Sequence, residues 1–495
     1  LRRISLDPQP RRNRKLARDP TVSPKMTTPT KPGEIRVPVE SLRRGLFVCT
    51  LDRPWSETPF LFQGFLIESE QELRTLRGLC RWVGVDPAHS DPAALRDLAA
   101  ANERAQRSAT APAAQAPAPP GAPRATRGAP IPWLRRATGA RKPARARRLD
   151  IPRLEPLPEA ERSPLVPAGV ALVRYRHETP FEAEIDAADD AAALADDALR
   201  TLLADMAAGG ELKLVDVRAT AQDLAASVVR NPDALQWLVR MRAQDADVYA
   251  HGVKVAVYLL SFARHLGFAP AELVQMATIG LLLDVGKIYI EPELLHRAGP
   301  LTPAERSRVQ QHVRLGLEAL AAPGTLPTAV LEAIAEHHER ADGTGYPRQL
   351  TLEAISIHGR MAAIADSFAA MTSPRPYAPT LAPFDAMKVM YAEAGKKFHA
   401  PLVEQFVQAV GIFPTGALVE LSTGEVAVVV CHNRVRRLEP RVLVVTDRAK
   451  RKLDVPYELD LLTQSQASVD GKPIRIDRGL AEGAYGLDLA ALYAG

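Results

Sequence analysis

The stretch HHERADGTGYP, His337 to Pro347, sets two adjacent histidines ahead of an acidic residue and a glycine-rich turn, in a chain with only 11 histidines. Two imidazoles side by side at the end of an amphipathic helix need a common partner. The other polar residues that interrupt apolar helix faces indicate its chemistry. Asp247 and His251 lie four apart, so they share one face of one helix. Asp284 and Lys287 follow the wholly apolar run ATIGLLL, which makes a buried carboxylate that requires a partner. His312 stands in RVQQHVRLG, and Asp366 interrupts MAAIADSFAA. Any one of these alone reads more readily as a hydrogen-bonded core residue, a helix cap or half of an ion pair. Taken together, histidines and aspartates on several helices of one bundle are how carboxylate-and-imidazole metal sites are built, with oxygen and nitrogen donors suited to Mn, Fe, Zn or similar divalent ions.

The elements that must position these groups are helical. From about residue 180 to 410, AALADDALRTLLADMAAG, TAQDLAASVVRN, PDALQWLVRMRAQDADVYAHGVKVAVYLLSFARHLG and PAELVQMATIGLLLDVGKI show apolar residues at three-to-four spacing, with Pro, Gly or Asn at the breaks. After Pro414 the pattern changes to β-branched alternation in ALVELST, GEVAVVVC and RVLVVTD, with STGE as a hairpin turn. Ahead of the helices, IRVPVESL, GLFVCTLDRPW and PFLFQGFLI read as short strands. Ser69 and Glu72 form a capping box for the helix SEQELRTLRGLCRWV, and VGVD closes that region as a strand. The expected fold is therefore mainly α, a helical bundle with a small N-terminal α+β domain and a small C-terminal β-rich segment. The expected divisions are a basic disordered tail (1–33), the α+β domain (34–100), a disordered Ala/Pro/Arg-rich linker (101–165), a helical lead-in (166–239), the site-bearing helical domain (240–412) and the β segment (413–495).

Across residues 240–412, AHGVKVA, LLLDVGKI, LTPAERSRVQQHVRLG, HHERADGTGYP and MAAIADSFAAMTSPRPY together resemble the HD-GYP domains of the HD phosphohydrolase superfamily, bacterial proteins that hydrolyse cyclic di-GMP. Residues 34–90 resemble the small domain of unknown function that commonly precedes such modules. The resemblance implies that His251, Asp284, His312, His337, His338 and Asp366 are metal ligands, with one or two divalent ions such as Mn or Fe as cofactor. It puts Asp247 where the family often has a glutamate that recruits a further metal. It gives Asp284 and Lys287 catalytic roles, sets Lys287 toward the scissile phosphate, and pairs Arg375 with a phosphate or guanine of the substrate. It makes Gly345, Tyr346 and Pro347 a loop that contacts diguanylate cyclase domains. Motility and biofilm formation are the behaviours it implies.

One departure bears on the chemistry. The family's name-giving pair is His-Asp, and this chain reads Leu283-Asp284 with the surrounding spacing intact. Leucine has no lone pair to donate, so an ion held by His251, Asp284 and Asp366 keeps three protein ligands, while one held by Asp284, His312, His337 and His338 keeps four. A second departure is Ala378, where the family often has a basic residue. Two functional expectations follow: a weakened metal-dependent phosphodiesterase yielding the linear dinucleotide or GMP, or an inactive receptor or adaptor that binds the nucleotide or a cyclase. A structural helical protein with incidental histidines is the third, and it requires seven spaced ligand-type residues to coincide.

Composition narrows the context. Residues 1–33 and 101–150 together carry a net +16 against a chain total of +5, leaving the remainder near −11. The basic balance therefore belongs to the tails, and no specific nucleic-acid binding is expected of the core. Three cysteines, Cys49, Cys80 and Cys431, form no C-x-x-C pair, which disfavours a disulfide framework or thiolate zinc site and fits a reducing cytoplasm. No apolar run approaches the ~18 residues needed to cross a bilayer, and no apolar segment follows the N-terminal basic residues as in a secretory signal. The sequence begins with Leu1, for which one explanation is a translation start at Met26 with the preceding basic stretch not native. The β segment is open to three readings: a lid, a contact within a homodimer, or a binding module.

Overall fold

The computed structural model describes residues 35–52, 65–67, 70–87, 90–96 and 98, then 154–494 with breaks at 176–178, 211, 243–247, 322–323, 375–379, 434–435 and 465–473. The basic tail, Ser69 of the capping box, most of the linker, and the candidate site residues Asp247, Arg375 and Ala378 lie outside the described residues.

Two compact units result. The first is an antiparallel sheet in the order β1-β4-β2-β3, from β1 (Ile35–Pro38), β2 (Phe47–Leu51), β3 (Phe65–Leu66) and β4 (Trp82–Val85). Helix α1 (Glu70–Leu79) completes it, and Val37, Val48, Leu76 and Val83 fill its core. The expected helix thus ends before Trp82, whose stretch goes to the sheet instead.

The second unit is mainly α, and its described residues include 154–165, the end of the stretch read as linker. There β5 (Glu155–Pro156) pairs with β6 (Val173–Arg174), and Leu157 and Leu165 pack against the main core. Helices α2 (Phe181–Ala207), α3 (Leu214–Arg230) and α4 (Pro232–Met241) share that core with α5 (Val248–His265) and α6 (Pro270–Leu282); α7 (Pro303–Gln310) buries no residue, and α8 (His312–Ala321), α9 (Thr328–Glu336), α10 (Ile357–Met371), α11 (Pro383–Ala392) and α12 (Ala400–Val410) complete the bundle. The lead-in is therefore packed into the bundle itself. Asn231 explains the break between α3 and α4: its side chain accepts from the amides of Asp233 and Ala234, and Pro232 takes the first helical position.

Small residues set how closely the site-bearing helices approach. A Cβ on Gly280 of α6 would lie 2.4 Å from the Ala256 backbone of α5, and one on Gly252 would lie 3.0 Å from the Leu281 carbonyl. A Cβ on Gly286, just after Asp284, would lie 2.0 Å from the His312 carbonyl and 2.5 Å from the Gly316 amide. Gly286 is thus what lets the Asp284 turn sit on the start of α8. Gly286→Ala is expected to destabilise the fold by about 3 kcal/mol, in the upper range for overpacking, read as a lowered midpoint in urea.

The C-terminal strands form an antiparallel five-stranded sheet in the order β10-β9-β8-β7-β11, from β7 (Leu418–Leu421), β8 (Val426–Cys431), β9 (Arg441–Thr446), β10 (Lys452–Asp460) and β11 (Ile476–Gly479). Ser422 to Glu425 make the turn between β7 and β8, with Gly424 at φ +97°. Leu418, Val426, Val428, Val430, Leu443 and Val445 join the bundle core, while Val419, Leu421, Ala427, Val429, Val442 and Val444 form a second core on the other face. Burial of both faces accounts for the unbroken apolar run in β8. The sheet is tied to α4 through Asp233, which accepts from the His432 amide at 2.9 Å and lies 3.3 Å from the His432 ring Nδ1.

Candidate metal centre and substrate cavity

Five elements bring the site together. Asp284 follows the end of α6 and opens a short 3-10 turn, Val285–Tyr289, and is 2 % exposed. His251 comes from α5, His312 begins α8, His337 ends α9, His338 follows it, and Asp366 lies in α10. His251 Nε2 stands 2.8 Å from Asp366 Oδ1 and 3.6 Å from Asp284 Oδ2. His312 Nε2 stands 3.3 Å, and His337 Nε2 3.9 Å, from Asp284 Oδ1. His338 Nδ1 is 4.0 Å from Asp366 Oδ2, and its ring centroid is 4.0 Å from that of His337. Asp284, His312, His337 and His338 thus form one group of donor atoms within 4.8 Å of one another, and His251, Asp284 and Asp366 form another.

The backbone orients two of the imidazoles. Nδ1 of His312 lies 2.7 Å from the Val309 carbonyl, and Nδ1 of His337 lies 2.7 Å from the Ile334 carbonyl. A carbonyl can only accept, so each Nδ1 carries a proton, and each Nε2 is the ring atom left to face inward. Electrostatics prepares the same state. Burial pushes His337 down to about 4 against the opposing pull of Asp366 and Asp284. Burial, followed by the charge of His337, drives His338 well below the usual histidine range. Burial alone would raise Asp284, but Lys287, with Nζ 2.6 Å from Oδ2, followed by His312 and His251, holds it well below the carboxylate range. Asp366 is held low in the same way, burial being outweighed by the hydrogen bond and charge of His251. Ionised carboxylates beside neutral His337 and His338 are the protonation states that metal ligation requires.

Asp284 Oδ1, His312 Nε2 and His337 Nε2 are all buried and, among the described residues, have no hydrogen-bond partner. Each such group costs ~1 to 3 kcal/mol when left unmet. Three such atoms gathered in one buried place, two imidazole nitrogens and a carboxylate oxygen, are a donor set suited to a divalent cation. The residues present therefore fit a metal.

The centre opens into a cavity of about 1130 Å³, whose wall includes Lys254, Lys287, Arg297, Arg306, Arg340 and Lys397. Lys287 lies on this wall beside Asp284. Leu283 is 1 % exposed, belongs to the hydrophobic core, and is not among the residues lining the cavity.

The signature loop is held by carboxylates that sequence reasoning passed over. Glu339, 1 % exposed, accepts from the Arg348 amide at 2.6 Å and the Leu350 amide at 2.9 Å. Glu336, 4 % exposed, accepts from Arg348 Nη2 and the Ser356 amide, both at 2.9 Å. These anchors close the loop so that the Tyr346 ring lies on His338, with centroids 4.6 Å apart and planes at 31°. Gly345 permits it, because a Cβ there would stand 2.4 Å from the Arg340 amide nitrogen. The signal available in the sequence was a pair of glutamates three apart at the end of an apolar helix. Glu339→Gln keeps the shape and replaces one acceptor by a donor facing an amide. It is expected to cost about 2 kcal/mol in stability, measured by urea unfolding, and to loosen His338 through Tyr346.

The comparisons with known proteins fall on this architecture. A family model described as an HD domain matches residues 231–402, and one described as a domain of unknown function, DUF3391, matches residues 34–217. The second match runs beyond the sheet unit into α3. The chain is 31 % identical over 427 residues to a cyclic di-GMP phosphodiesterase of Pseudomonas aeruginosa, covering 86 % of this chain and 88 % of that protein. It is 36 % identical over 179 residues to a cyclic di-GMP phosphodiesterase of Vibrio cholerae, covering 33 % of this chain and 36 % of that protein. A 3'3'-cGAMP-specific phosphodiesterase of Vibrio cholerae is 32 % identical over 196 residues, covering 39 % of this chain and 36 % of that protein. The fold and site define an HD-domain protein with two groups of side chains that could hold a metal ion. More narrowly, the chain belongs to the HD-GYP family, with the N-terminal domain found beside it. Among the described residues no helix is long and apolar enough to cross a membrane.

Proposed function

We propose that the protein is a metal-dependent phosphodiesterase acting on cyclic di-GMP, with its turnover lowered by Leu283. The observation that carries this reading is the convergence of Asp284 Oδ1, His312 Nε2 and His337 Nε2, buried and without hydrogen-bond partners among the described residues, at the head of a large cavity lined by lysines and arginines as well as carboxylates. Asp284, His312, His337 and His338 would hold one ion, and His251, Asp284 and Asp366 a second, with Asp247 and Arg375 as further ligand and substrate contact. A bound divalent ion supplies Lewis acidity, lowering the pKa of water and offsetting phosphoryl charge. The chain's own residues do the rest. Asp284 serves both groups, and Lys287 both neutralises it and presents an ammonium to the phosphoryl oxygens where charge builds as water adds to phosphorus and the ester oxygen departs. Tyr346 fixes the ring plane of His338.

A second reading is favoured by a specific observation: the group of His251, Asp284 and Asp366 has only three members, and Leu283, next to Asp284 in the chain, offers no fourth. In it the domain takes one ion and the nucleotide without turnover, serving as a receptor or as an adaptor for a diguanylate cyclase through Gly345 to Pro347. The test is purified full-length protein loaded with manganese or iron and incubated with cyclic di-GMP. Release of the linear dinucleotide or GMP supports the first reading. Stoichiometric binding without release supports the second. Neither binding nor release contradicts both.

A further inference from the structure

Arg340 sits inside the signature segment, yet neither the metal chemistry nor the loop anchors use its side chain. Its Nη1 donates to the His337 carbonyl at 3.2 Å and the Glu339 carbonyl at 2.8 Å. Its guanidinium carbon lies 5.4 Å from the centroid of Phe398. Phe398 belongs to a turn bolted to the same loop, since the Ala341 amide donates to the Lys397 carbonyl at 3.0 Å. Three contacts therefore fix the plane of this guanidinium, one of them to the backbone of a candidate metal ligand. Among the described residues, its Nε and Nη2 donors have no acceptor. Arg340 is half-buried on the cavity wall, close to His338 and Tyr346 in the chain.

Nε–H and Nη2–H form the parallel pair with which arginine binds two oxygens of one phosphate. A flexible surface arginine loses rotamer entropy on making that contact. Arg340 has already lost it to His337, Glu339 and Phe398, so most of the ordering cost falls on folding and not on binding. The remaining question is which group of a cyclic dinucleotide it meets. A guanine O6/N7 edge could also accept two parallel bonds. The basic wall, with Lys254, Lys287 and Lys397 also lining it, is matched to phosphate charge.

We infer that Arg340 is a pre-oriented phosphate clamp of this cavity, gripping a phosphodiester through Nε and Nη2 while Nη1 ties it to the metal-bearing backbone. The inference rests on the cyclic-dinucleotide reading above and assigns a binding residue to it. In this role Arg340 supplies a cationic contact of the kind the Ala378 position lacks.

The test is equilibrium binding of cyclic di-GMP to the full chain at several salt concentrations, for the wild type, Arg340→Ala and Arg340→Lys, with metal content and melting temperature measured on each. Arg340→Ala is expected to raise Kd about tenfold or more, and to flatten the dependence of log Kd on log salt. Arg340→Lys, which keeps a charge but not the paired edge, is expected to raise Kd while retaining the salt slope. Metal content should be the same in all three. Unchanged Kd in Arg340→Ala overturns the inference and leaves the functional reading standing. Weaker binding of Arg340→Ala with an undiminished salt slope places the arginine on a base edge and overturns the phosphate assignment. Weaker binding accompanied by loss of metal makes Arg340 a strut for the loop and also overturns it. A wild type that does not bind cyclic di-GMP overturns the functional reading, and this inference falls with it.

Discussion

Leu283→His is expected to raise both metal content and cyclic di-GMP hydrolysis. Leu283 ends α6 immediately before Asp284, whose Oδ2 lies 3.6 Å from His251 Nε2 in the group that has only three members. An imidazole at that position adds the donor that the other group already has in its fourth residue. Losing even an outer-shell partner costs ~10 to 100-fold in affinity or activity, so gaining a direct ligand should raise hydrolysis by at least about tenfold. The gain should appear as a second equivalent of manganese or iron by elemental analysis, alongside the faster rate. Leu283 is 1 % exposed in a packed core, so the new ring also costs stability there, which a melting curve reports separately. Equal activity and equal metal in the two proteins would remove Leu283 from the account of turnover.

Asp284→Asn should have the opposite and larger effect. Asp284 is the residue common to both ligand groups, and its two oxygens face different neighbours, Oδ1 toward His312 and His337 and Oδ2 toward His251 and Lys287. The amide has nearly the same shape but carries no charge. It weakens both groups at once and leaves the Lys287 ammonium without its 2.6 Å counter-charge. Metal affinity and any hydrolysis should fall by at least about 100-fold, the upper end of what an outer-shell loss does. Stability can move either way, because burial of Asp284 opposes its ionisation even as its neighbours support it. Metal content and rate are therefore the readouts that decide.

Much of the candidate site was legible because its members break a strong helical pattern. An aspartate after ATIGLLL and a pair of histidines closing an amphipathic helix are conspicuous against apolar periodicity. The mainly α fold and the β-rich end were readable for the same reason, since periods near 3.6 and 2 differ plainly over ten residues or more. Other features depend on long-range packing, which a local pattern does not encode. Glu336 and Glu339 look like ordinary polar helix residues until their amide partners, up to 20 positions away, are known. Gly286 is unremarkable until α8 arrives against it. The pairing of residues 155–156 with 173–174 was hidden because β5 and β6 are two residues each, too short for alternation to register. That one face of the C-terminal sheet completes the bundle core follows from where the sheet docks, and its run of valines shows only that both faces are covered.

The most direct measurement is an anomalous-scattering map from crystals of the full chain grown with manganese. The account predicts a peak bonded to Asp284 Oδ1, His312 Nε2 and His337 Nε2 with His338 beside it, and a weaker peak or none between His251 and Asp366. Crystals that show no peak among these side chains, while manganese saturates the solution, would contradict it.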